Sequence, residues 1–366
     1  MISVCNVLGQ KHYDFVTMVA ADGLDLASAT ETQPDILLSE LGWTLYELDY
    51  AKTQAVFLDV GAEGDIIRVP FAYGAQMRLA KRAAFVPFAD FLSLGAKITP
   101  SQRIIQLYNI GHCGSTLLHQ VLNASDVVWD ISEPKFVRDI AMNRAALPTE
   151  QQTALAKTGI AFLSLLPMAN QRKAMAIKHF SQATKIYDIL NAAWPSAANI
   201  YMYRDAISWC NSDYGFWQRW GMPAPMPFDW RQLVWSAKSG NEGQEFLDGL
   251  IDFDRESVSF TDLAACGWGL HSREFLAARE QGIYFFALRY DQLLADREGV
   301  LKKLLSYCGL KVVDMAKLLA VFDHDAHEGE KTSHDKPVHK LPAGAAGRIR
   351  EILAKKQLAL DPDQLL

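Results

Sequence analysis

Past about residue 100, short apolar runs alternate with longer segments of helical pattern. Ile104–Ile110 is the first run, of strand length and composition. Val127–Ile131, Ala174–Lys178, Asn199–Tyr203 and Ile283–Leu288 follow it, with helical stretches at 149–168 and Tyr187–Trp194 between them. Near-continuous apolar strands separated by helices predict an α/β fold, with a parallel sheet of about five strands covered on both faces. Residues 1–97 have another rhythm. Gln54–Val60 and Ile66–Pro70 flank Gly61-Ala-Glu-Gly64 as a hairpin would, and Ala75–Ala83 and the segment from Val86 read as short helices. The expected organisation is therefore a small α+β accessory region over 1–97, read as a cap or a dimerisation element, and a main domain over 98–366.

Ligands of a parallel sheet bind beyond the C-terminal ends of its strands. That rule places Gly111–Thr116, Ser132-Glu133-Pro134, Lys178-His179 and Arg204-Asp205 on one rim. The first of these, Gly111-His112-Cys113-Gly114-Ser115-Thr116, joins a strand to a helix that begins near Leu117. Unpaired N–H groups and the positive end of the helix dipole make such a turn an anion site. Ser115 and Thr116 add hydroxyl donors, and Gly114 allows close backbone approach. It is not a Walker A loop, because Gly114 rather than Lys precedes Ser115. Many strand–glycine–helix turns bind nothing, so the rest of the chain has to decide.

Composition narrows the choice. Half of the 366 residues are apolar, enough for a sizeable core, and the net charge of −6 argues against a nucleic-acid or membrane-surface partner. Ala161–Met168, among the longest apolar stretches, is too short to span a bilayer, and the first residues lack a signal-peptide layout. Cys5, Cys113, Cys210, Cys266 and Cys308 are odd in number and form no CxxC, which fits reduced thiols and a cytoplasmic protein.

Arg204 stands at the end of the fourth strand, and Ser212 lies about two helical turns further on. Together they could grip one phosphate from two sides. The plain alternative is an Arg204 paired with Asp205 and an ordinary surface serine. Trp209, Tyr214, Phe216, Trp217, Trp220, Phe228, Trp230 and Trp235 crowd the same region, as an acceptor pocket or, on the weightier reading, as a buried helical layer. Asp323-His-Asp-Ala-His327 with Glu328, His334 and His339 invites a metal, but the spacing matches no zinc motif and none is expected.

Three stretches carry a family resemblance. Gly111–Leu118 resembles the 5′-phosphosulfate loop of the sulfotransferases that use 3′-phosphoadenosine 5′-phosphosulfate (PAPS). Tyr203–Ser212 resembles that family's 3′-phosphate motif, including the spacing from Arg204 to Ser212, and Leu288–Leu310 is similar to the stretch after its last core strand. The resemblance covers about residues 100–345 and implies a P-loop-like sulfotransferase domain with PAPS as co-substrate. By it Gly111, His112, Cys113, Gly114, Ser115, Thr116 and Leu117 would hold the 5′-phosphosulfate, and Arg204 and Ser212 the 3′-phosphate. The loop departs from the family at His112, where the family has Lys or Arg, and Lys178 is the candidate substitute. Lys331, Ser333 and Lys336 loosely fit the family's nucleotide-covering loop. Glu133 or His179 would be the base, with a Glu133 salt bridge to Lys135 or Arg138 as the plain alternative. The acceptor would be a small molecule or carbohydrate. The rivals are a Mg²⁺-dependent kinase and a binding protein that no longer turns over.

Overall fold

The computed structural model describes residues 1–10, 20–61, 66–67, 69–166, 170–239, 247, 257–311, 314–326 and 340–358. Six strands come first: β1 (Ile2–Gln10), β2 (Leu24–Leu26), β3 (Thr30–Thr32), β4 (Trp43–Asp49), β5 (Gln54–Asp59) and β6 (Arg82–Pro87). They form a sheet of order β2-β1-β6-β5-β4, with β3 also pairing β1. The pairings are antiparallel. Helices α1 (Ile36–Ser39), α2 (Ala72–Leu79) and α3 (Phe88–Gly95) accompany the sheet.

The expected hairpin between Gln54–Val60 and Ile66–Pro70 is not formed. Residues 62–65 and 68 lie outside the described set, and Ile66, Ile67, Val69 and Pro70 are in no strand. Instead β5 pairs with β4 on one side and with β6 on the other. Both true partners are apolar stretches, and β5 is buried almost throughout, as a central strand should be. Pro70, which cannot donate to a ladder, suits the irregular segment better.

Beyond residue 100 the expectation holds. Strands β7 (Arg103–Asn109), β8 (Val128–Ser132), β9 (Ala174–Lys178), β10 (Ala198–Tyr203) and β11 (Phe286–Arg289) form a parallel sheet of order β11-β10-β7-β9-β8. Nearly every residue of β7 to β10 is buried, which is why they read as unbroken apolar runs. Flanking helices are α4 (Ser115–Ala124), α5 (Lys135–Met142), α6 (Thr149–Leu163), α7 (Tyr187–Ala193), α8 (Ala206–Arg219), α9 (Phe228–Ser239) and α10 (Phe260–Glu280). The chain ends through α11 (Tyr290–Ala295), α12 (Arg297–Tyr307), α13 (Met315–Ala320) and α14 (Ala345–Lys355). Among the described residues no helix is long and apolar enough to cross a membrane.

Two compact units share the chain, and the line between them falls inside β7. The first holds residues 1–107, 119–179 and 186–198; the second holds 108–118, 180–185 and 199–366. Architecture itself changes between Pro87, where the antiparallel sheet ends, and Arg103, where the parallel one begins.

In the first unit a buried polar network ties β4 to α5. Lys135 Nζ donates to Glu47 Oε1 and Asp139 Oδ1, both at 2.8 Å, and Asp139 Oδ2 accepts the Leu48 N–H at 2.9 Å. The second unit is organised on α10, buried along most of its length and opened by a Ser259–Asp262 capping box. All five cysteines are buried free thiols.

Candidate functional site

The glycine loop lies in the second unit. Gly111, His112 and Gly114 all have left-handed backbone, with φ of 72°, 45° and 84°. Asn109 Oδ1 accepts the Gly111 N–H at 2.8 Å, and Trp209 Nε1 donates to the carbonyls of Ile110 and Gly111. The Cys113 thiol donates to the Met202 carbonyl, fastening the loop to the end of β10. A Cβ on Gly114 would clash with the Tyr290 ring, so both conformation and space demand glycine there. Ser115 opens α4, and the N–H groups of its first turn have no partner within the helix.

His112 departs from an ordinary histidine. Its Nε2 is 3.4 Å from Asp213 Oδ1, and its ring packs on Phe216 at 4.8 Å. Burial pushes its pKa down to about 4; Asp213 opposes the fall, while Lys238, Arg219 and Arg204 add to it. The imidazole is therefore neutral near pH 7. Asp213 in turn accepts from Lys238 Nζ and from Trp217 Nε1. Lys238 lies over the Trp209 ring at 4.9 Å. A Cβ on Gly267 of α10 would come within 2.6 Å of the Lys238 side chain, so the lysine packs where only a glycine leaves room.

Arg204 follows β10. Trp268 Nε1 from α10 donates to its carbonyl at 2.9 Å, and its guanidinium lies 4.2 Å from the centre of the Tyr290 ring. Asp205 does not pair with it. That carboxylate caps α8 by accepting the Ser208 N–H at 3.0 Å. Among the described residues Arg204 meets no carboxylate, so the plain reading of an Arg204–Asp205 pair falls. Ser212 is half-buried on α8, one residue before Asp213. The aromatic cluster divides: Trp209, Trp217 and Trp235 are core, whereas Phe228 is exposed.

Glu133, Lys178 and His179 belong to the first unit. Glu133 is a second non-glycine candidate with left-handed backbone, φ 56°, and its N–H donates to the Lys178 carbonyl at 2.6 Å. Its carboxylate accepts from Lys178 Nζ at 2.5 Å, while Lys135 is occupied by Glu47 and Asp139. The alternative partner Lys135 is thereby corrected to Lys178. Burial raises the Glu133 pKa and the Lys178 charge is the main opposing influence. His179 is fully buried, hydrogen-bonded through Nε2 to Gln106 Oε1, and pushed down to about 3 by burial.

Sequence reasoning missed Asp213, Lys238, Tyr290 and Arg219. Tyr290 and Asp213 sit within or beside the quoted motifs, but nothing local marks Lys238. Of the acidic and histidine-rich stretch, His327, Glu328, His334 and His339 lie outside the described residues, as do Lys331, Ser333 and Lys336. Among the described residues no group of three or more metal-type ligands forms.

No protein-family model matches the chain, and no curated protein sequence does. Solved structures do resemble it. The sulfotransferase domain of the curacin biosynthetic pathway is 14% identical, with TM-score 0.41, over 71% of this chain and 99% of that one. Sulfotransferase STF9 from Mycobacterium avium is 12% identical, with TM-score 0.44, over 73% of this chain and 78% of that one. Mouse sulfotransferase SULT7A1, solved with PAP, is 13% identical, with TM-score 0.36, over 75% and 91%. Likeness this remote carries neither fold nor function, and both rest on the geometry of the chain itself.

Proposed function

We propose that the chain is a PAPS-dependent sulfotransferase, moving a sulfuryl group to a hydroxyl or amine of a small molecule or carbohydrate. One observation carries the reading: in the second unit, a glycine loop opening a helix accompanies an arginine, Arg204, that no described carboxylate neutralises. An uncompensated guanidinium and a helix start whose first N–H groups have no partner within the helix both call for an anion. In this reading the N–H groups of Gly114, Ser115 and Thr116, with Gly111 to Leu117 as frame, take the 5′-phosphosulfate. Arg204 and Ser212 take the 3′-phosphate. A base removes the acceptor proton as the new bond to sulfur forms and adenosine 3′,5′-bisphosphate leaves. Glu133 suits that work, since its pKa is raised and its carboxylate is oriented by Lys178. Burial against Gln106 makes His179 the weaker candidate. The reading extends to residues 1–97 as an accessory region that could pair two copies, and to a cytoplasmic enzyme that needs no metal.

A binding protein without turnover is the second reading, and neutral His112 favours it, since the loop then lacks its own cation. Calorimetric titration with adenosine 3′,5′-bisphosphate beside 5′-AMP tests the first. Preference for the bisphosphate that Arg204→Ala abolishes supports it. Equal affinity for the two nucleotides sinks it, and Mg²⁺-dependent ATP consumption would bring the kinase forward. Tight bisphosphate binding with no transfer to any acceptor would favour the second reading.

A further inference from the structure

The cations around His112 differ in what they meet. Lys238 is paired with Asp213. Arg204 lies on Tyr290 and, in a sulfotransferase, serves the 3′-phosphate. Arg219, the last residue of α8, has no such commitment. Among the described residues no carboxylate pairs with its guanidinium, and its Nε is buried without a hydrogen-bond acceptor. Arg219 is half-buried, and the partial burial lowers its pKa.

Its place on the helix gives that charge a direction. Ser212, Phe216 and Arg219 are spaced i, i+4 and i+7, so they share one stripe of α8. Phe216 touches the His112 ring, which turns the stripe toward the glycine loop with Arg219 one turn beyond the contact. We propose that Arg219 binds the anionic group held by the glycine loop, the 5′ group of the nucleotide, and supplies the charge that His112 does not. The proposal rests on the sulfotransferase reading and deepens it. A guanidinium offers a planar fork to a phosphate or sulfate, and a bound anion would satisfy the buried Nε.

The test titrates wild type, Arg219→Gln and Arg219→Lys with adenosine 3′,5′-bisphosphate, 5′-AMP and 3′-AMP. Arg219→Gln should weaken the bisphosphate and 5′-AMP by about ten- to a hundredfold and leave 3′-AMP within about twofold. Arg219→Lys should retain part of the loss, keeping the charge without the fork. Because Arg219 leaves no described partner orphaned, Arg219→Gln should melt at or above the wild-type temperature. Retained folding with selective loss of 5′ binding is a combination that a merely structural arginine would not produce. An equal loss on all three nucleotides, or none, overturns the proposal. If wild type does not prefer the bisphosphate, the donor reading fails by itself. Inorganic sulfate then decides for Arg219: weaker sulfate binding in Arg219→Gln sustains an anion site, and equal binding ends it.

Discussion

Lys135 and Arg204 are two cations held in opposite ways. Lys135, in the first unit, is buried against two carboxylates, Glu47 and Asp139, each 2.8 Å from its Nζ. Asp139 also takes a backbone N–H, so the network closes on itself. Arg204, in the second unit, has an aromatic ring beneath it and no described carboxylate beside it. Arg219 is similarly uncompensated. Burying a charge is costly unless it is paired, and a fold that needs a cation only for structure builds its counter-ion nearby. A cation without one, in the same unit as a helix start whose first N–H groups have no partner within the helix, is arranged for an anion that arrives from solution.

The comparison breaks hardest at Lys135. Lys135→Met strands Glu47 and Asp139 and should cost about 3–5 kcal/mol of stability in urea unfolding, with nucleotide affinity of the folded fraction unchanged. A loss below about 1 kcal/mol would mean the network is not structural. Arg204→Ala should do the reverse. Bisphosphate affinity should fall by about 1.5–3 kcal/mol, roughly ten- to a hundredfold, while urea stability moves by less than about 1 kcal/mol. If stability falls more than affinity, Arg204 belongs with Lys135. Gly114→Ala should damage both properties. Its left-handed backbone and the Tyr290 contact predict about 1–3 kcal/mol of destabilisation together with weaker nucleotide binding. Intact binding would separate the loop from the anion.

Acid adds a smaller, graded effect. His112, His179 and His271 have pKa values pushed down to about 4, 3 and 3 by burial, against an ordinary 6.5. Folded-state values below the unfolded one mean that stability is fully present above about pH 6.5 and declines as pH falls toward the folded values. Thermal melts should therefore drop steadily from pH 7 to pH 5. Since an anion at the loop would favour protonated His112, bisphosphate should lessen the drop; a drop of the same size with and without nucleotide would place His112 outside the anion's reach.

Much of the second half was legible because burial and local propensity leave a periodic trace. The five parallel strands are apolar on both faces, and each was found within a few residues of its bounds; Gly114 was legible because a turn next to a helix start needs its conformation. The antiparallel sheet was less so. Residues 2–10, 43–49 and 82–87 are strands buried or half-buried at most positions with no clean alternation, and a glycine pair at 61 and 64 suggested a hairpin that β4 and β6 displaced.

Beyond residue 100 the sequence by itself determined the order of the parallel strands and the helices between them, the glycine loop, and the positions of Arg204, Ser212, Glu133 and Lys178 at strand ends or on the helix that follows. Only the tertiary structure decided which charges are spent on one another. Lys238 meets Asp213 across 25 residues, Lys178 meets Glu133 across 45, and Lys135 meets Glu47 across 88. Periodicity records what a residue's own element buries, whereas a counter-ion is brought by an element far away in the chain. The arginines left without one could be recognised only after those pairs had formed.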